Sequence, residues 1–125
     1  MSLHSSGEMY LESIFVLRDK IEGVHAIDVS EYMGFSKPSV SRALKLLKAD
    51  GYIDIDAADH ITLTPAGERI AKKIFERHTI LTQVLLCLGV DEVTAADDAC
   101  KIEHDISDAT FEAIKNYIEK EKSAE

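Results

Sequence analysis

The 125-residue sequence predicts a mainly α protein interrupted by one short β-hairpin. Three observations carry that prediction. Apolar residues recur at helical spacing over most of the chain. A turn at Gly34-Phe35 leads into Ser36, a strong N-cap residue, and Pro38, which sits where a missing N–H costs nothing. Residues 52–64 break the helical period and alternate instead, as strands do.

The elements follow in order. Tyr10, Leu11, Ile14, Phe15 and Leu17 give an apolar face to a helix over residues 7–20, and Gly23 ends it. A short helix over 26–33 has Asp28 near its start and Ile27, Val29, Tyr32 and Met33 as its apolar residues. After the glycine turn, the capped helix runs through Val40, Ala43, Leu44 and Leu47 to Ala49, and Asp50-Gly51 stops it. Residues 52–56 and 60–64 read as the two strands of a hairpin. Thr64 caps a long helix with Pro65 at its first position, over 65–88, and Gly89 closes it. Two further helices are predicted over 91–104 and 108–120, the last capped by Ser107 or Asp108.

Helix, glycine turn, capped helix and hairpin together make a winged helix-turn-helix arrangement. Val29, Met33, Val40, Leu44 and Leu47 can pack its two helices together, leaving the polar residues of the second outward. Those residues are Ser36, Lys37, Ser39, Ser41, Arg42 and Lys45, and with Pro38 they are the candidates for DNA contact. Ser36 and Ser39 suit phosphates at a helix N-terminus, and Arg42 suits a bidentate contact to guanine. The same residues also suit a solvated helix face or a protein-binding module.

Charge bears on that choice. The net charge is −9, with 9 basic and 11 acidic residues in 1–75 and 5 basic and 12 acidic in 76–125. Bulk acidity disfavours indiscriminate nucleic-acid binding. Lys37, Arg42, Lys45 and Lys48 nevertheless form a local basic patch, with no acid between residues 32 and 49. The size fits one domain, or a small domain with a helical extension. No apolar run approaches the roughly 20 residues of a membrane span. The opening Met1-Ser2-Leu3-His4-Ser5-Ser6 lacks the features of a secretory signal, so a cytoplasmic location is expected, with no membrane partner. Two cysteines, Cys87 and Cys100, make no disulfide framework.

Cys100, Glu103 and His104 stand at positions i, i+3 and i+4, which on a helix share one face. A thiolate, a carboxylate and an imidazole converging in this way can bind a transition metal. Upstream, Glu8, Met9 and Glu12 share one helix, and His78 lies on the long helix after the hairpin. Each has an ordinary alternative. Met9 can fill a core, Glu8, Glu12 and Glu103 can be solvated, Cys100 can be a small buried residue, and His78 and His104 can be structural. Reading Cys100 and His104 as a nucleophile and its base gives no enzyme, because no oxyanion-hole motif accompanies them and one helix turn rarely gives attack geometry.

The ordered segments Glu8-Met9-Tyr10-Leu11-Glu12, Ser36-Lys37-Pro38-Ser39-Val40-Ser41, Leu63-Thr64-Pro65-Ala66-Gly67, Arg77-His78 and Cys100-Lys101-Ile102-Glu103-His104 resemble the metal-dependent repressors of the diphtheria-toxin-repressor type, which include the manganese transport regulators. The resemblance covers about residues 7–120. It implies a winged helix-turn-helix DNA-binding domain over residues 1–75 and a helical metal-binding and dimerisation region over 76–125. It further implies a metal-loaded homodimer on a palindromic operator, repression of metal-uptake genes, and no organic substrate. A winged-helix regulator or protein-interaction module without a metal switch is the competing reading.

Ligand positions carry over residue by residue. Met9, Cys100, Glu103 and His104 match the iron-type set, and Glu12 and His78 match manganese-type ligands. Thr82 and Ala96 stand where the iron type's ancillary site has a glutamate and a histidine, so only a weaker second site near His78 is expected. In length the chain resembles the manganese type, so the SH3-like domain of the longer members is not expected. Thioether and thiolate donors favour Fe²⁺, with Mn²⁺ next.

Overall fold

The computed structural model describes residues 5–123. It contains six helices and one two-stranded sheet among those residues: α1 Ser5–Leu17, α2 Ala26–Met33, α3 Lys37–Ala49, β1 Ile53–Ile55, β2 Ile61–Leu63, α4 Pro65–Cys87, α5 Glu92–Ile102 and α6 Asp108–Ser123. The mainly α expectation and the single hairpin both hold. Contacts divide the chain into two compact units between Lys72 and Lys73, within the continuous helix α4.

The first unit is built on one apolar core. Leu11 and Ile14 of α1, Val29 of α2, Val40, Leu44 and Leu47 of α3, and Ile53 and Ile61 of the hairpin are all buried in it. Met33 packs against this cluster only partly, while Ile27 and Tyr32 are exposed. The turn between α2 and α3 depends on Gly34, which takes left-handed φ 72 and returns its N–H to the Ser30 carbonyl at 2.9 Å. The Ser30 hydroxyl donates to the Phe35 carbonyl at 2.6 Å, which fixes the turn's far side.

Strands β1 and β2 pair antiparallel, with Ile53 opposite Leu63 and Ile55 opposite Ile61. They are shorter than the alternating runs because Asp56 folds the loop onto itself. Its carboxylate accepts from the N–H groups of Ala58 and His60, both at 2.9 Å, and Asp59 takes positive φ 63. Helix α1 ends at Leu17 rather than residue 20, where the Leu17 carbonyl accepts from both Lys20 and Ile21. Arg18 just beyond it pairs with Glu68 through both guanidinium Nη atoms. Gly67 at the start of α4 allows close approach to the hairpin, because a Cβ there would stand 2.0 Å from the Tyr52 carbonyl oxygen.

The second unit holds the rest of α4 with α5 and α6. Ile74 and Leu81 of α4, Ala95 and Ala99 of α5, and Phe111 and Ile118 of α6 are buried. The Asp91 side chain caps α5 by accepting from the Thr94 N–H at 3.0 Å. Ser107 caps α6, accepting from the Thr110 N–H at 3.2 Å. Helix α5 stops at Ile102, two residues before the expected end at 104. The Ile102 carbonyl instead takes the N–H groups of Asp105 at 3.0 Å and Ile106 at 3.3 Å, which tightens the chain into a turn.

Candidate functional site

The shortened α5 changes how the Cys100-Glu103-His104 run is presented. Cys100 lies in the last helical turn, Glu103 is the C-cap and His104 is in the turn beyond. Glu103 keeps helical dihedrals, φ −58 and ψ −27, so the i, i+3 relation to Cys100 survives although the helix has ended. The Cys100 sulfur, a Glu103 carboxylate oxygen and a His104 ring nitrogen all lie within 4.8 Å of one another. Two ligands on opposite sides of one ion stand apart by twice a bond of about 2.0–2.3 Å, so atoms this close can share an ion with small rotations.

The surroundings of Glu103 favour that use. Its side chain is 0% exposed, and His104 is 5% exposed. His78 Nδ1 of α4 stands 2.9 Å from Glu103 Oε2 and donates to it. The other oxygen, Oε1, is buried with no hydrogen-bond partner and lies 3.3 Å from His104 Nε2. A buried acceptor without a donor costs about 1–3 kcal/mol, so native proteins rarely leave one unless something completes it. A soft thiolate, a carboxylate with an open oxygen and an imidazole fit a divalent transition metal. Neither Cys87 nor Cys100 is in a disulfide, as such a role requires of Cys100.

Arg77, the residue before His78, is 5% exposed. Its Nη1 donates to the carbonyls of Glu103 at 3.0 Å and Ile106 at 2.9 Å, and its Nη2 pairs with Asp108. Asp108 also receives Lys73 Nζ at 2.9 Å, and these two cations, Lys73 foremost, hold its carboxyl below the usual range. Sequence reasoning misses this, since an arginine between Glu76 and His78 looks like any helix-surface cation. The Thr82 hydroxyl donates to the His78 carbonyl at 2.7 Å, so Thr82 is tied to its own helix. Met9 and Glu12 lie on α1 in the first unit, both partly buried, and the Met9 carbonyl accepts from the Ser13 hydroxyl at 2.8 Å.

Helix α3 presents the candidate DNA-contacting residues. Ser36, Lys37, Pro38, Ser41, Arg42 and Lys45 are exposed and Ser39 is partly so. Ser36 and Ser39 are more engaged than expected. The Ser36 oxygen accepts from the Ser39 N–H at 3.3 Å, and the two hydroxyls are 2.9 Å apart. They therefore build the helix start before they offer anything to a phosphate. Lys37, Arg42, Lys45 and Lys48 remain as exposed cations along the helix. Ser41 and Lys45 also line a cleft of about 450 Å³ with His25, Ile27, Ile55 and Asp59, between the recognition helix and the hairpin.

An exposed, capped recognition helix beside a hairpin, with a thiol–carboxylate–imidazole cluster centred on a buried glutamate in a helical unit, defines a metal-binding winged helix-turn-helix protein. Residues 2–61 match the N-terminal DNA-binding domain of the iron-dependent repressors, and residues 64–124 match their metal-binding and dimerisation domain. The chain belongs to the iron-dependent repressor family, a family of metal-dependent, dimeric, DNA-binding transcriptional repressors.

Among known relatives, an uncharacterised helix-turn-helix-type transcriptional regulator of Methanocaldococcus jannaschii is 34% identical over 122 residues, covering 96% of this chain and 98% of that protein. The regulator MntR of Lysinibacillus sphaericus is 31% identical, covering 91% of this chain and 82% of its own. Among solved structures, a manganese-dependent transcriptional repressor in complex with manganese superposes with a TM-score of 0.82 at 26% identity, over 89% of this chain. The manganese regulator SloR gives 0.82 at 24% identity, over 95% of this chain. The chain spans about half the length of these two structures, 51% and 55% respectively. No helix among the described residues is long and apolar enough to cross a membrane.

Proposed function

We propose that the chain represses metal-uptake genes in response to Fe²⁺, with Mn²⁺ as the next-best activator. The observation that carries the reading is the Cys100-Glu103-His104 cluster, built on the buried Glu103 with its unsatisfied oxygen. Met9, Glu12 and His78 complete the proposed ligand set on the strength of their match to family ligand positions. Bound metal supplies positive charge that a cluster rich in carboxylates lacks. The preference for Fe²⁺ rests on the Cys100 thiolate and the Met9 thioether, softer donors than the carboxylates and imidazoles that suit Mn²⁺.

Each protomer reads DNA through α3. Lys37 and Lys45 contact phosphates, Arg42 contacts a base edge, and the Ser36–Pro38–Ser39–Ser41 start of the helix sets its register in the major groove. A homodimer places two such helices on a palindromic site in the cytoplasm. Leu88 and Val93 of the second unit, 75% and 72% exposed, supply apolar surface of the kind a dimer covers.

The test is a binding titration on the protein's own promoter, with chelator, Fe²⁺ and Mn²⁺ compared under anaerobic conditions. Binding that requires metal, and less Fe²⁺ than Mn²⁺, is the expected result. Binding that chelator leaves unchanged removes the metal switch, and equal or reversed ion preference removes the iron assignment alone.

A further inference from the structure

We propose that Arg77 is a positioning residue of the metal centre, holding the Glu103–Ile106 turn in the backbone path that brings the Glu103 and His104 side chains to the Cys100 thiol. The inference rests on Cys100, Glu103 and His104 being metal ligands.

The carbonyl of Glu103 belongs to the planar peptide that joins Glu103 to His104. Fixing that carbonyl fixes the plane, and with it the relative direction of the two neighbouring side chains. Arg77 Nη1 donates to it at 3.0 Å. The same nitrogen donates at 2.9 Å to the Ile106 carbonyl, three residues on, so both ends of the turn are tied to one planar group. Carbonyls leaving a helix end need donors, and here a side chain from α4 supplies them.

His78, next in the chain, donates to the Glu103 carboxylate itself at 2.9 Å. Two adjacent residues of one helix therefore hold the backbone and the side chain of one ligand. Arg77 is in turn held by two contacts: its Nη2 pairs with Asp108, itself ion-paired with Lys73, and the guanidinium carbon lies 5.3 Å from the centre of the Phe111 ring. A buried guanidinium with so many constraints has little freedom to move. Groups outside the ligand set that orient ligands typically change metal affinity by about 10–100-fold when removed.

The test uses the full chain and Co²⁺ as an absorbing probe, read by chelator competition and by the thiolate-to-metal and d–d bands. Arg77→Met is expected to bind Co²⁺ about 10–100-fold more weakly, with altered d–d bands. Arg77→Lys keeps the charge but not the fork, and is expected to bind about tenfold more weakly with the same direction of spectral change. Leu81→Ala, a core change on the same helix, is expected to lower the melting temperature while leaving affinity and spectrum as in wild type. Wild-type affinity and spectrum in folded Arg77→Met overturn the proposal. So does a loss of affinity in Leu81→Ala that matches Arg77→Met at equal loss of stability. Should Arg77→Met not fold, wild-type behaviour of Arg77→Lys overturns it equally. The ligand assignment is judged separately: wild-type protein lacking a thiolate band, or one that Cys100→Ser leaves intact, removes that reading before any Arg77 variant is measured.

Discussion

Replacing Glu103 by glutamine separates a metal ligand from a structural acid, because the two roles require opposite signs. Glu103 is fully buried, with His78 Nδ1 at 2.9 Å from Oε2 and no hydrogen bond to Oε1. Glutamine keeps the volume and an acceptor for His78. It also places an amide N–H₂ where Oε1 stood, 3.3 Å from His104 Nε2, which can accept from it. Metal-free Glu103→Gln is therefore expected to be as stable as wild type, or more stable by up to about 1–3 kcal/mol, the cost of one unsatisfied buried acceptor. For a chain of this size 1 kcal/mol moves Tm by about 3–5 °C. Metal at a hundred times Kd stabilises wild type by about 2.7 kcal/mol, a rise of roughly 8–14 °C. If the substitution weakens binding about 100-fold, the same metal concentration adds only about 0.4 kcal/mol, or roughly 1–2 °C. Thermal melts followed by circular dichroism, with chelator and with Mn²⁺ or anaerobic Fe²⁺, read both quantities. A Glu103→Gln protein that melts several degrees lower without metal, yet keeps the full metal-induced rise, refutes the ligand role and leaves Glu103 as a partner of His78.

The remaining predictions concern the first unit. If Lys37, Lys45 and Lys48 each meet one phosphate in both protomers, the six contacts give a salt slope of about −5 and an affinity loss of about 10³ between 50 and 200 mM salt. Lys45→Ala should reduce the slope by about 2 in a fluorescence anisotropy series, and an unchanged slope removes Lys45 from the phosphates. Gly67→Ala sets a Cβ 2.0 Å from a backbone oxygen that cannot rotate away. It should lower stability by about 1–3 kcal/mol despite the helix propensity gained, and an undiminished urea midpoint would count against this packing. The Arg18 guanidinium, bonded to Glu68, holds that carboxyl below its ordinary value. The pair therefore adds stability above the unfolded pKa of about 4.3, lost as pH falls through the lower folded value, and exposure limits it to about 1 kcal/mol or less. Arg18→Gln should thus be slightly less stable than wild type at pH 7 and equal to it in strong acid, and a gap that persists in acid contradicts the pairing.

Local chemistry was the legible part. The Gly34 turn, the Ser36 cap with Pro38, and the alternation of Ile53–Ile55 with Ile61–Leu63 act within a few residues, so the sequence shows them directly. The core of the first unit followed from the same periodicity, with Val29, Val40, Leu44 and Leu47 all buried. Boundaries decided by distant partners were not legible. Helix α1 gives way at Leu17, where Arg18 turns to a residue fifty positions away. The close pairing of the Ser36 and Ser39 hydroxyls depends on rotamers that spacing leaves open. Nothing in the run Glu76-Arg77-His78 marks its arginine as buried, because burial there is set by carbonyls and a carboxylate some thirty residues on.

The early end of α5 and the burial of Arg77 are one feature seen from two sides. Were the helix to continue to residue 104 and beyond, the Glu103 carbonyl would take an N–H four residues later and have less need of a guanidinium. Ser107 instead starts α6 as its cap, and the intervening turn leaves the Glu103 and Ile106 carbonyls to be satisfied by a side chain. Glu103 still holds helical dihedrals at that point, so the spacing that marked the Cys100 run remains correct although the structure behind it differs. A continuous helix would present three donors from a cylinder whose own hydrogen bonds set their direction. A capped end presents them from a turn whose direction is set by α4. The α4 helix carries Arg77 on the backbone of Glu103 and His78 on its carboxylate, so it governs both parts of the residue on which the metal reading depends.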